Sequence, residues 1–439
     1  MNKGYRAKLR IERDFAKKRA KRAVQNSEYD NYDKVFTMQH AFPSLAKCRL
    51  GVDWKGSVQS YTQNAITNIY KLMGFLICGK MPPLKDVLTM YVRERGKERK
   101  ITSIKIDYRV PQRMLCDYSL VPVLRNTLIF DNGASLPGKG VYFTRKRVRK
   151  MLVEATKEFG PVFYILVFDF KSYFDSIAHC EIRKILNKHF ADKRIIDITM
   201  DIIKSYQFYD IMMIKDEDER QTQLDLLFSD KLCGICLGSQ VSQIIALVFA
   251  NDIDHYIKDK CGIKYYARYM DDGVAAAKTK EELLMLFEGM KKIAGKLKLT
   301  FSPKKTHIVK STKGFSFLKV KYHITHTGKI ISRLTHNGIH KMRTRLCKFH
   351  NKVVNGKMTL DDVYNSVQSW YAHAGIAMSY TTRKSMDKLY NELFGGYRIT
   401  KSWKRNARWA KKKNTNKEIN YEILQIDRWA EYRWNCDAA

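Results

Sequence analysis

The chain has 439 residues and carries 81 Lys and Arg against 44 Asp and Glu, a formal net charge of +37. That length exceeds a single hydrophobic core and excludes a peptide hormone or a lone binding module; the charge goes far beyond solubility and points to a polyanion, nucleic acid first. No stretch approaches the roughly 18 to 20 unbroken apolar residues of a spanning helix, and Met1 to Arg22 has no apolar leader core, so no membrane partner and a cytoplasmic location are expected. Nine cysteines scattered from Cys48 to Cys436 read as reduced thiols; Cys233 and Cys236 have CxxC spacing without the second pair that a zinc site needs.

In chain order, residues 1–24 hold ten Lys or Arg and read as a basic helix, either a solvated arm or an RNA contact. Val92 to Ile101 reads as two short cationic strands around Gly96, a finger-like hairpin able to meet phosphates. Asp131 to Gly140 is a turn-forming loop followed by Arg145-Lys146-Arg147. Its amides, with Lys139, Arg145 and Arg147, would hold a nucleic-acid backbone; the alternative is a plain surface loop. The apolar run Val162 to Phe168 stops at Asp169, as a central strand does when it delivers a carboxylate to its exposed end. Ile263 to Ala277 has the composition of a tight hairpin with Asp271 and Asp272 at its turn. Glu281 to Leu297 places Leu283, Leu284, Phe287, Met290 and Ile293 near helical spacing. Strand-like runs alternating with such helices over 160–335 predict an α+β core. Beyond Arg333 the pattern is helical and basic, ending in a block where Lys401, Lys404, Arg405 and Arg408 interleave with Trp403 and Trp409. Rings and guanidinium planes stack on bases while cations neutralise phosphates; alternatively the tryptophans anchor a helix to the core.

Isolated carboxylates are costly to bury. Asp169, Asp271 and Asp272 together make an oxygen-ligand cluster. Magnesium takes few carboxylates, keeps waters and binds substrate phosphates, so the trio suits two ions bridged by a triphosphate, the chemistry of nucleotidyl transfer.

Five segments, Asp169 to Ile177, Gly234 to Gln243, Tyr269 to Asp272, Leu299 to Thr306 and Gly314 to Leu318, resemble in order and spacing the successive palm motifs of reverse transcriptases. The likeness covers about residues 85–335 well, the C-terminal third as a thumb by position and character, and the first eighty residues hardly at all. It implies an α+β right-hand polymerase: a basic N-terminal helical extension (1–80), fingers (81–160), a palm of antiparallel sheet backed by helices with inserted finger elements (161–335), and a helical basic thumb and tail (336–439).

By this resemblance Asp169 and Asp271 bind two Mg2+ ions, with Mn2+ as a substitute, Asp272 supports them, and Phe170 lies at the same metal and substrate position. The ions activate a primer 3′-hydroxyl and stabilise leaving pyrophosphate. Phe174, under the incoming sugar, excludes a 2′-hydroxyl and implies dNTPs as substrates; its other reading is a buried palm aromatic. Leu237, Gly238, Ser242 and Gln243 lie where nucleotide and template pass close to backbone, and the helix starting near Ser242 buries Ile244, Ile245, Leu247 and Val248. Lys305, with Lys304 as its rival, corresponds to the lysine that protonates pyrophosphate. Arg99, Lys100 and Arg113 correspond to triphosphate-binding cations.

Many relatives have Pro-Gln where this chain has Cys236-Leu237, which removes a hydrogen-bond partner at the base pair and implies relaxed fidelity. The pattern Leu-Gly-x-x-x-Ser-Gln is shared with enzymes of diversity-generating retroelements, and related forms occur in phage-defence enzymes of bacteria. No maturase, HNH or RNase H motif is evident. The expectation is a compact bacterial enzyme, related to retron and group II intron proteins, that makes cDNA from a dedicated non-coding RNA, with an accessory protein or a second copy as a further partner. Two rival readings stand beside it: a template-independent or protein-primed polymerase of abortive-infection type, and an RNA-binding protein with a vestigial palm.

Overall fold

The computed structural model describes residues 27–398 apart from 85–86, 95–96, 376 and 378. The basic stretch 1–24 and the cationic block from Lys401 to Trp409 lie outside the described residues. The chain divides into two compact units, 1–151 with 164–308 and 152–163 with 309–439. This division cuts across the four segments expected from sequence, because 309–335 groups with the C-terminal helices.

The first unit begins with helices Tyr32–Val35, Met38–Arg49, Gly56–Gln63 and Ala65–Ile77. Strands β1 (Leu88–Glu94) and β2 (Lys97–Ser103) then pair antiparallel, in register from Leu88 opposite Ser103 to Glu94 opposite Lys97. This is the cationic hairpin read from the sequence. The apolar run after Val162 becomes β3 (Tyr164–Asp169), buried from Ile165 onward as a strand covered on both faces must be. β3 pairs antiparallel with β5 (Asp272–Ala277), which pairs with β4 (Tyr265–Tyr269). The sheet order is β4-β5-β3-β6, with β6 (His307–Lys310) at its edge.

Small residues on β5 let a helix close over the sheet: Ala275 and Ala276 stand opposite Leu166 and Ile165, and helix Lys280–Lys296 packs on both strands. Thr279 and Glu282 cap that helix reciprocally, satisfying two amide groups that the first turn leaves open. Leu283 and Met290 are buried as the periodicity predicts, with Leu286 and Ala294, whereas Leu284 faces solvent.

In the second unit β7 (Phe315–Phe317), β8 (Val320–Ile324) and β9 (Ile330–Leu334) form an antiparallel sheet. Ser311 fastens the 152–163 segment to it, donating to the Pro161 carbonyl at 2.6 Å and accepting from the Phe163 N–H at 3.2 Å. Helices His336–Val354, Leu360–Ala374 and Tyr380–Phe394 share a core of Met342, Leu346, Val363, Val367 and Met386. The fold is α+β, antiparallel sheets with helices, as the sequence predicts. No helix among the described residues is long and apolar enough to cross a membrane.

Candidate active site

β3 and β5 end together, so their register sets Asp169 opposite Asp272. Tyr269 pairs with Asp272 and leaves Met270-Asp271 as a two-residue turn. Met270 has φ of +54°, at the turn position where hairpins favour glycine. The Asp271 carbonyl accepts the Phe170 N–H at 3.2 Å, tying the turn to the chain just past Asp169. Gly273, next after the acidic pair, leaves room for the Phe168 ring; a Cβ there would lie 2.1 Å from Phe168 Cζ.

A third segment straps across this end of the sheet. The Lys171 N–H donates to the Thr300 carbonyl at 2.8 Å and the Ser302 N–H to the Asp169 carbonyl at 2.7 Å, while Phe170 bridges to Phe301. The strap carries Lys305, whose ammonium pairs with Asp169 Oδ2. Lys304 beside it is exposed.

Asp169 is buried and Asp272 is half-buried. Burial above all, then a hydrogen bond with Asp169 and the negative charges of Asp271 and Asp169, pushes the Asp272 carboxyl up to about 8, with Lys305 acting in the opposite sense. Among the described residues no three His, Cys, Asp or Glu side chains form a ready-made metal-holding group. Asp169 and Asp272 engage each other, and the cation on Asp169 is Lys305. The donor set is nevertheless hard oxygen throughout and short of positive charge, which fits Mg2+ rather than a softer ion.

The other expected residues are distributed unequally. Phe174 is half-buried, its ring edge-on to Tyr173 at 6.1 Å and its carbonyl accepting the Ile235 N–H at 3.0 Å. The Leu237 carbonyl accepts the Thr102 N–H at 3.2 Å, so β2 runs against this loop. Gly238 has φ of +120°, and a Cβ there would lie 2.6 Å from the Thr102 carbonyl oxygen; the backbone it lets approach is that of β2. Ser242 is buried and its N–H donates to the Ser239 cap at 3.2 Å, in helix Gln240–Phe249, which buries Ile244, Ile245, Leu247 and Val248. Gln243 accepts from Ser135 at 3.4 Å.

Arg99 lies in β2 opposite Val92, and Lys100 pairs with Asp210 at 2.6 Å on the surface. Arg113 is committed elsewhere: it donates to Asp117 at 2.8 Å, and Asp117 also takes Lys47 of helix Met38–Arg49 at 2.7 Å. Cys233 and Cys236 are free thiols.

The expectation for 131–147 needs correction. Asp131, Asn132, Ala134 and Leu136 are buried, while Ser135, Pro137 and Gly138 are exposed. Lys139 donates to the Phe130 and Asn132 carbonyls at 2.7 and 2.9 Å and lies over the rings of Phe130 and Phe143. Arg145 is fully buried, and Arg147 pairs with Asp131 at 2.6 Å. A buried acid needs a close cation, and burying Asp131 draws Arg147 inward. Lys139 and Arg147 are engaged by the loop itself, and Arg145 is buried.

The order of strand end, acidic turn and lysine strap falls within a match to the family Reverse transcriptase (RNA-dependent DNA polymerase) over residues 85–322. The chain belongs to that family. No curated protein matches it. Similar solved structures include apo telomerase from Candida tropicalis truncated from its C-terminal domain, at 14% identity and TM-score 0.38, covering 57% of this chain and 55% of that one. Another is telomerase from Candida albicans in complex with the TWJ fragment of telomeric RNA, at 12% identity and TM-score 0.39, covering 76% of this chain and 58% of that one. The chain thus spans little more than half the length of those telomerase chains.

Sequence reasoning missed two residues beside this family's acidic turn. Arg268 in β4 and Asp254 in helix Asn251–His255 form an ion pair with neither side chain exposed to solvent. The signal available was a lone cation, Arg268, inside a run of otherwise apolar and aromatic residues from Tyr265 to Met270.

Proposed function

We propose that this reverse transcriptase is an RNA-directed DNA polymerase that copies template RNA into cDNA from dNTPs. The observation that carries the reading is the register that sets Asp169 opposite Asp272, with Asp271 in the adjoining turn and the Lys305 ammonium on Asp169. Bound Mg2+, held by Asp169, Asp271 and Asp272 with Phe170 alongside, would supply Lewis-acid activation of a primer 3′-hydroxyl and neutralise the triphosphate. Lys305 is half exposed, so it can leave Asp169 for the departing pyrophosphate and donate a proton to it. The Phe174 ring limits space at the sugar. Lys100, loosely held by a surface pair, is free to turn to phosphate. The Leu-Gly-x-x-x-Ser-Gln stretch supports a bacterial enzyme with a dedicated non-coding RNA, in phage defence or retroelement diversification.

The test is primer extension on a defined RNA with labelled dNTPs and Mg2+. Product matching the template is expected; composition-biased product without template would replace the reading with untemplated addition. Asp271→Ala with Asp272→Ala should abolish synthesis and leave RNA affinity largely intact, and synthesis that survives would remove the metal assignment. RNA affinity should fall steeply with salt, as expected where many phosphates are neutralised.

A further inference from the structure

We propose that Arg268, held by Asp254, is the positioning residue that fixes the acidic turn for metal binding, an inference that rests on the polymerase reading above. Arg268 Nε donates to Asp254 Oδ1 at 2.8 Å and Nη2 to Oδ2 at 2.7 Å, and the Tyr266 hydroxyl donates to Asp254 Oδ1 at 2.6 Å. The remaining donors leave the pair: Nη1 reaches the Met270 carbonyl at 2.8 Å and Nη2 the Leu247 carbonyl at 2.8 Å. The main chain of Arg268 is bound too, accepting from the Gly133 N–H at 3.0 Å and donating to the Asp131 carbonyl at 3.2 Å. One residue therefore joins the acidic turn, the helix that follows Gly238, and the buried loop after Phe130.

A buried ion pair is poor evidence for stability, since well-packed apolar residues often serve a core as well or better. What apolar residues cannot do is hold carbonyls. Met270 sits in the left-handed region without being glycine, a conformation that persists only where its surroundings over-determine it. Arg268 grips the carbonyl of that residue, one peptide before Asp271. Its rigid fork matches this task; a lysine ammonium, a point charge on a flexible stem, cannot serve Asp254 and both carbonyls in the same geometry.

The test is Mn2+ binding by the full chain without nucleic acid, followed by electron paramagnetic resonance. Arg268→Lys should weaken Mn2+ roughly tenfold or more, the usual effect of removing a group that orients metal ligands. In the folded variant, RNA affinity and the KM for dNTP should be unchanged while kcat falls. A folded lysine variant that binds Mn2+ as tightly as wild type overturns the inference and leaves the pair as core filling. Should Arg268→Lys not fold, Tyr266→Phe, which removes one hydroxyl from Asp254, must weaken Mn2+ roughly threefold, the equivalent of one neutral hydrogen bond; unchanged affinity overturns the inference. Wild-type protein that takes up no Mn2+ removes the polymerase reading itself, a failure distinct from an unaffected variant.

Discussion

Gly273→Ala isolates the demand that the acidic turn places on the core. The new methyl would meet Phe168 at 2.1 to 2.7 Å, against an ordinary contact of 3.4 Å, so the ring must withdraw by about 1.3 Å. It has nowhere to go: Phe168 is fully buried, edge-on to Phe170 at 5.9 Å and to Phe301 at 5.6 Å, and stacked on Tyr266 at 6.3 Å. Overpacking of this kind costs about 3 kcal/mol, the upper part of the usual range, because the obstructed group is a rigid ring rather than a flexible chain end. Phe168→Ala alone should cost about 4 kcal/mol through lost burial and the cavity left behind. The double variant should then be no worse than Phe168→Ala, because the methyl enters vacated space, giving a coupling of about 3 kcal/mol. Urea unfolding monitored by circular dichroism measures all four corners of the cycle. Strictly additive losses would refute the steric reasoning.

Three further outcomes follow from the geometry. His179 is buried, its Nε2–H donates to the Gly234 carbonyl at 2.8 Å, and its Nδ1 lacks a hydrogen-bond partner; burial holds its pKa below the ordinary 6.5. The unfolded chain therefore binds this proton first, so stability should decline as pH falls below about 6.5 toward the lowered folded value, and His179→Gln should flatten that slope in melting curves; identical slopes would contradict the burial argument. Phe174→Ala should narrow the preference for deoxynucleotides by at least about tenfold in competition with ribonucleotides, and an unchanged ratio would reduce Phe174 to a packing residue. Lys305→Met should lower single-turnover rate by about a hundredfold with RNA affinity unchanged, and full rate would exclude it as proton donor.

Local pattern revealed what local pattern controls. The apolar run ending at Asp169 and the aromatic and small residues flanking Asp271-Asp272 specify a strand end and a hairpin within a few residues, and the structure has both, with the turn at Met270-Asp271 and Asp272 already in β5. β3 and β5 then pair with Asp169 and Asp272 side by side. Long-range ion pairs leave no such trace. Arg145 and Arg147 looked like neighbours in a basic run, yet one is buried and the other answers an aspartate sixteen residues upstream. Asp254 precedes its arginine by fourteen residues across a change from helix to strand, whereas the Arg113–Asp117 pair, four residues apart, has the helical spacing that sequence does display.

The tie between β2 and the loop before helix Gln240–Phe249 divides labour between two adjacent positions. Leu237 meets Thr102 through its carbonyl, a group every amino acid possesses, so this bond places no demand on its side chain. Gly238 has no such latitude, because any larger residue would push the hairpin off its seat. Side chains can therefore change at one position while its neighbour keeps the hairpin moored.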